Sequence, residues 1–247
     1  MAAATVVIPA RLGSTRFPEK ILASQTGRPL VQHVVDQASK CRRVRQVIVA
    51  ADHPRVVEAL APFGTRVVLT DPNHPSGTDR IAEVARGVDD DVIVNVQGDE
   101  PEIEPAIIDA LIARLEETPA DDMATAATRF PAGADVADPN LVKVVRALDG
   151  RAIYFSRSVV PHQRDRADAD PPAYFLHLGI YAYRRRFLLD YAAWPPTPAE
   201  RAEKLEQLRA LEHGRSIYVL IVDRATHGID TPEQYAAFVE RTKKSRQ

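Results

Sequence analysis

Four short apolar runs in the N-terminal half most restrict what this chain can become: Thr5-Val6-Val7-Ile8, Val47-Ile48-Val49-Ala50, Val67-Val68-Leu69 and Val92-Ile93-Val94-Asn95-Val96. None alternates with polar residues, so each reads as a strand buried on both faces. Amphipathic stretches at about 30–40, 55–63 and 78–86 separate them and read as helices. This βαβαβ rhythm predicts a parallel sheet with right-handed crossovers.

The second half is less regular and predicts a mixed sheet. Strand-like segments lie at 141–147, 174–183 and 216–222, and helical ones at about 185–192 and 198–213. Thr197-Pro198-Ala199-Glu200 has the marks of a helix start, with Thr as N-cap, proline in the first turn and Glu placed for a capping box. Gly214 supplies the stop, and Thr231-Pro232-Glu233-Gln234 repeats the start, leaving Asp230 just outside a last helix. The polar segment 165–172, ending in Pro171-Pro172, reads as a mobile loop within one domain.

With 247 residues, 45% of them hydrophobic and 27% charged, the chain can bury a core as a single domain over 1–247. A net charge of −2 argues against nucleic-acid binding, which shows a basic excess on one face. Any anionic ligand is then held by a few placed cations. The single cysteine, Cys41, forms no internal disulfide, and no Cys/His spacing suits zinc. Apolar residues 2–10 are too few to span a bilayer and run straight into Arg11, so the reading is a cytoplasmic protein with no membrane partner.

Four loops carry chemistry-bearing residues. After the first strand, Pro9-Ala10-Arg11-Leu12-Gly13-Ser14-Thr15-Arg16-Phe17-Pro18-Glu19-Lys20 joins three cations to small residues, at the strand end where α/β sheets bind ligands. A triphosphate needs such backbone N–H groups and cations; a solvated connection would look the same. Neither GxxxxGK[ST] nor GxGxxG occurs, so this is not a P-loop or a dinucleotide fingerprint. Gln97-Gly98-Asp99-Glu100-Pro101 leaves a core strand and offers Asp99 to a hard cation such as Mg²⁺, which binds through one or two carboxylates plus phosphates; Gly-Asp also makes ordinary turns. Gly228-Ile229-Asp230-Thr231-Pro232 offers a second carboxylate, although an acid beside a helix start is favourable by itself. Ser76-Gly77-Thr78-Asp79-Arg80 turns into a helix, where capping by Ser76 or Thr78 explains everything except Arg80.

In this order and spacing the four loops resemble the 3-deoxy-manno-octulosonate (Kdo) cytidylyltransferases over nearly the whole chain. The resemblance extends through Asp138-Pro139-Asn140-Leu141-Val142-Lys143-Val144-Val145, Tyr154-Phe155-Ser156-Arg157, His177-Leu178-Gly179-Ile180-Tyr181 and Glu206-Gln207-Leu208-Arg209. It implies a Rossmann-like α/β nucleotidyltransferase fold with a mostly parallel central sheet, a smaller mixed part for sugar binding and dimerisation, and a homodimer. It also implies the reaction of CTP with Kdo to give CMP-Kdo and pyrophosphate, for lipopolysaccharide-type glycans. Carried over by the same resemblance, Pro9, Ala10, Arg11, Ser76, Gly77 and Arg80 surround the cytidine. Arg11, Arg16 and Lys20 face the phosphates, and Asp99 and Asp230 hold Mg²⁺. Gln97, Arg157, His177, Tyr181, Glu206 and Gln207 line the sugar pocket. Catalysis falls to Lys20, Arg11, Asp99 and Asp230.

Periodicity alone disagrees at two of these positions. Ala202, Leu205, Leu208 and Leu211 form an apolar stripe that leaves Glu206 and Gln207 on a solvated face, whereas the resemblance puts them over the sugar. His177 reads from its strand as a structural, half-buried histidine, and Tyr154 and Phe155 read as core or subunit contact. One departure from the family stands out: Glu19 occupies a place where relatives usually have glycine, adding a negative charge to the phosphate loop. The run Arg184-Arg185-Arg186 fits no motif. Two other readings remain at this level, a cytidylyltransferase for a related acid sugar (8-amino-Kdo or a sialic acid) and a catalytically silent nucleotide-binding homologue.

Overall fold

The computed structural model of the chain describes residues 4–14, 16–131, 133–164, 174–224 and 228–244. The loop expected at 165–172 therefore lies outside the described residues. Each anticipated N-terminal run is a strand: β1 (Ala4–Ala10), β2 (Val44–Ala51), β3 (Val67–Leu69) and β4 (Val92–Asn95). Helices α1 (Leu30–Ala38), α2 (Pro54–Leu60) and α3 (Gly77–Ala85) connect them. β1 lies between β2 and β4, and β2 carries β3 on its other side, all parallel. The chain thus winds outward from β1 in one direction and then returns to add β4 on the other side. The junction of β1 and β4 is the switch point at which such sheets open a crevice beyond their carboxyl ends.

Burial on both faces explains the unbroken apolar runs. Val6 and Ile8 of β1 face α1 and α4 (Pro105–Glu117), while Val7 between them faces α3 and α5 (Arg185–Ala193). All three strand residues are fully buried, each contributing about 1.5–3 kcal/mol relative to exposure.

The C-terminal half continues the same sheet. β8 (Phe175–Arg184) pairs antiparallel with β4 and with β5 (Met123–Arg129), and β5 pairs parallel with β9 (Ile217–Val222). β6 (Lys143–Arg146) and β7 (Ala152–Ser156) form a hairpin joined to β8 through β6. The mixed part is thus an extension of the parallel half, not a second sheet. Helix α4 and strands β5 and β7 were not anticipated. β5, MATAATR, is poor in β-branched residues and becomes a strand because β8 and β9 flank it.

The helix expected over 198–213 is in fact two, α6 (Pro198–Glu203) and α7 (Gln207–Glu212), with Lys204 left-handed between them at φ 54°, ψ 46°. Contacts from β7 make the break: the Glu203 carboxylate accepts from Ser156 Oγ at 2.6 Å and Arg157 N at 2.9 Å, and Arg157 Nε donates to the Glu203 carbonyl at 2.7 Å. That carbonyl is spent on a guanidinium, so the α-helical ladder stops. The three-residue stripe fails with it, because Ala202 is exposed while Leu205, Gln207 and Leu208 are buried. Gly214 ends α7 at φ 68°, as anticipated. The last helix, α8 (Pro232–Lys244), begins at Thr231, with Gln234 Oε1 accepting from Thr231 N at 3.0 Å. Among the described residues no helix is long and apolar enough to cross a membrane.

Candidate active site

Two loops leave the sheet at the switch point. Because Val7 and Asn95 are in register, the loop after β1 and the turn Gln97-Gly98-Asp99 after β4 emerge side by side. They are so close that a Cβ on Gly98 would lie 2.9 Å from the Pro9 carbonyl oxygen, a separation only glycine tolerates. The segment before α8 closes the site. Ile229 N donates to the Asp99 carbonyl at 2.8 Å, and the Ile229 side chain is buried with Leu30, Tyr235 and Phe238. Asp230, distant in sequence, is thereby set opposite Asp99.

These elements enclose a cavity of about 430 Å³ with Arg11, Arg16, Lys20, Asp99 and Asp230 on its wall, together with Pro9, Gly77 and Gln97. Lys20, only 13% exposed, is its electrostatic centre. The ammonium donates to Asp99 Oδ2 at 2.5 Å, Asp230 Oδ1 at 2.9 Å and the Ile229 carbonyl at 3.0 Å. Burial alone would lower its pKa, but the two carboxylates outweigh burial and hold it above its ordinary value. Burial would likewise raise the Asp230 carboxyl, but Lys20 and Arg16, whose Nη2 lies 3.0 Å from Asp230 Oδ2, hold it below its ordinary value. An all-oxygen set that already grips one cation matches the donors a hard divalent ion requires, with phosphate oxygens to complete its shell.

A second cavity of about 210 Å³ adjoins the first, and Gly77 and Gln97 line both. Its wall is polar and aromatic. Glu206 Oε2 accepts from Thr78 Oγ1 at 2.6 Å, Tyr191 donates to the Glu206 carbonyl at 2.6 Å, and Tyr181 stacks on Tyr183 with centroids 5.8 Å apart. Gln207 is 4% exposed, and its Nε2 has no partner among the described residues. Leaving that donor unmatched is costly, so this wall suits a ligand rich in hydroxyl groups. Burial pushes the Tyr181 phenol well above its usual range, so it stays a neutral donor.

A chain with a basic loop, two facing carboxylates and an adjoining polar and aromatic cavity has close counterparts. The sequence profile described as cytidylyltransferase matches residues 5–217. A 3-deoxy-manno-octulosonate cytidylyltransferase of Geobacter sulfurreducens is 47% identical over 97% of this chain and 99% of its own length. The chain belongs to the 3-deoxy-manno-octulosonate cytidylyltransferase family. A solved structure of CMP:2-keto-3-deoxy-manno-octonic acid synthetase complexed with CTP matches with a TM-score of 0.93 at 40% identity, over 99% of this chain and 100% of that one. A nucleotidyl transferase from Methanothermobacter shares the fold, with a TM-score of 0.61 at 16% identity over 98% of each chain.

Of the residues the family resemblance singles out, the cavity walls contain Pro9, Arg11, Arg16, Lys20, Asp99 and Asp230 on one side and Tyr181, Glu206 and Gln207 on the other, with Gly77 and Gln97 common to both. The others are not on these walls. Ser76 caps α3, accepting from Asp79 N at 3.2 Å, and Ala10 is fully buried at the end of β1. Arg80 is fully buried, with Nη1 donating to Thr70 Oγ1, while Nε and Nη2 have no partner among the described residues. Arg157 spends its guanidinium on the carbonyls of Glu203 and Pro139, the latter at 2.8 Å, bracing the α6–α7 break. His177 sits between Phe155 and Tyr181, and burial pulls its imidazole down to about 3.

Sequence reasoning passed over Thr78, Asn95, Tyr183, Tyr191 and Lys204 as lining residues. Two of them carried a signal. Asn95 is the polar residue inside an otherwise apolar strand, and Tyr183 follows Tyr181 at the two-residue period of one strand face.

Proposed function

We propose that this chain transfers CMP from CTP to the anomeric hydroxyl of 3-deoxy-D-manno-octulosonate, releasing pyrophosphate and supplying CMP-Kdo to lipopolysaccharide-type glycans, as a cytoplasmic homodimer that uses Mg²⁺. The observation that carries this reading is the shared wall: Gly77 and Gln97 line both cavities. A triphosphate over Lys20 and a sugar hydroxyl among the tyrosines therefore meet at one edge.

In the reaction the sugar oxygen bonds to the α-phosphorus as the bond to the pyrophosphate oxygen breaks, and the hydroxyl proton passes to water. Such transfer depends on positioning and on charge stabilisation. Arg11, Arg16 and Lys20 stand where negative charge collects on the leaving group, and preorganised cations there lower the barrier most. Asp99 and Asp230 would hold the metal. Bound there, Mg²⁺ would supply Lewis acidity to the phosphates and the attacking hydroxyl. The Lys20 ammonium, on the same cavity wall, would be available to the phosphates if a metal held those carboxylates. Glu206, Gln207, Gln97 and Tyr181 orient the sugar through its hydroxyls.

The exposed apolar residues Leu148 and Ile153 support the β6–β7 hairpin as the surface for a second copy. Phe155, fully buried, belongs to the core instead.

The reaction is tested by pyrophosphate release with Mg²⁺, each of the four nucleoside triphosphates, and Kdo present or absent. Release that requires both CTP and Kdo is the expected outcome; release with a sialic acid but not Kdo would reassign the sugar. CTP binding without release from any acid sugar would make the chain a silent homologue.

A further inference from the structure

The phosphate loop contains one acid, Glu19, and it precedes Lys20 directly. Its backbone is left-handed at φ 56°, ψ 24°, a conformation glycine adopts freely and other residues adopt only at a cost. Although its neighbour Lys20 lines the nucleotide cavity, Glu19 is not among the residues of that wall. Its carboxylate turns towards α2, where both terminal guanidinium nitrogens of Arg55 hold it, Nη1 on Oε1 and Nη2 on Oε2, the latter at 2.8 Å. The loop turns tightly here, with Glu19 N donating to the Leu12 carbonyl at 3.3 Å and Leu22 N to the Glu19 carbonyl at 2.8 Å.

Arg55 belongs to a corner that grips the loop at both ends. Its own N–H is capped by His53 Nδ1 at 3.2 Å. Asp52, at the carboxyl end of β2, accepts from Leu12 N at 3.2 Å and donates its N–H to the Ala10 carbonyl at 3.3 Å. The bidentate fork matters because arginine fixes a carboxylate in orientation as well as in charge.

We propose that Arg55 is a positioning residue for nucleotide binding: by gripping Glu19 it holds residue 19 left-handed, keeps Lys20 on the cavity wall and turns the loop's one acid away from the incoming phosphates. Arg55 touches no reacting atom and acts through Glu19. This role rests on the proposed cytidylyl transfer for its meaning, but the loop's anion affinity can be read without any sugar or base.

The test is a four-member cycle of wild type, Arg55→Ala, Glu19→Gly and the double variant. It measures the Kd for inorganic pyrophosphate by calorimetry, and the KM and kcat for CTP. Arg55→Ala is expected to raise the pyrophosphate Kd and the CTP KM about three- to fivefold, the size an exposed ion pair carries, with kcat changed less than about twofold. Adding Glu19→Gly should restore both to the wild-type value, because glycine needs no partner to stay left-handed and carries no charge. An Arg55→Ala Kd equal to that of wild type overturns the proposal. So does a double variant as weak as Arg55→Ala, which would make Arg55 a direct phosphate ligand, and so does a wild type that binds no pyrophosphate. Pyrophosphate binding without turnover of CTP with Kdo or any related acid sugar would reject the cytidylyl reading, while the same Kd values still decide the role of Arg55.

Discussion

Lys20 gathers three oxygens from parts of the chain far apart in sequence, and its charge state follows from them. Replacing Asp99 removes one of the two carboxylates proposed to hold the metal and leaves the ammonium held by Asp230 and the Ile229 carbonyl. Asp99→Asn is therefore expected to lower turnover by about 10²-fold or more, the usual effect of losing one electrostatic contact in such a site. Circular-dichroism melting should show the fold retained; a pyrophosphate-release rate near wild type would remove Asp99 from the mechanism. The pH dependence of this cluster has a definite sign. The Asp230 carboxyl titrates below its ordinary 3.8 when folded, so its contribution is fully present above 3.8 and is lost as pH falls through the lowered value. The Lys20 ammonium titrates above its ordinary 10.5, so its contribution is fully present below 10.5 and is lost as pH rises through the raised value. The stability difference between wild type and Asp230→Asn, from urea titrations, should be flat between about pH 5 and 9 and shrink below pH 4. A difference that grew on acidification would show that the pairing is wrong. Which residues carry charge was visible in the sequence, since Lys20, Asp99 and Asp230 all stand at element ends. Their meeting was implied only by the family resemblance and by no local pattern, because it depends on Ile229 reaching the Asp99 backbone.

At the level of elements, the site depends on two strand ends leaving the sheet together and on one helix that breaks. Gly98 permits the first. Methyl addition in Gly98→Ala meets the Pro9 carbonyl, a backbone atom that gives way only if the two loops separate. We expect a stability loss of about 1–3 kcal/mol in urea unfolding and a larger proportional loss in pyrophosphate release, since the same separation spreads Lys20 from Asp99. Equal losses in neither measurement, with both at wild-type values, would mean the loops are looser than their contact implies. The broken helix shows how periodicity misleads. Counting threes from Ala202 assumes one axis through to Leu211, but Glu203 and Lys204 are captured by Arg157 before the helix can continue. The rotation at Lys204 turns Gln207 inward. Hydrophobic spacing reports a face only while the axis persists.

Over the whole molecule, a single nine-stranded sheet among the described residues carries both the parallel half and the mixed half, so the two cavities are fixed to one support. The β6–β7 hairpin stands beside the edge strand β9, where Val219 N donates to the Gly150 carbonyl at 2.9 Å, and it presents Ile153 at 60% exposure. If this is the subunit contact, Ile153→Asp should convert the dimer to monomer in sedimentation equilibrium and leave the monomer's melting cooperative; an unchanged dimer would place the contact elsewhere. The sequence by itself determined the strands β1–β4, their parallel direction, the helix starts at Thr197 and Thr231, and the loops that hold Lys20, Asp99 and Asp230. Those features follow from local spacing, capping and propensity, which act within a few residues. Only the tertiary structure decided that β5 is a strand, that α6 and α7 are separate, that Arg157 braces a turn, and that Glu19 faces Arg55. Each of those outcomes rests on a hydrogen bond or burial between segments tens of residues apart, and no pattern within one segment encodes its partner.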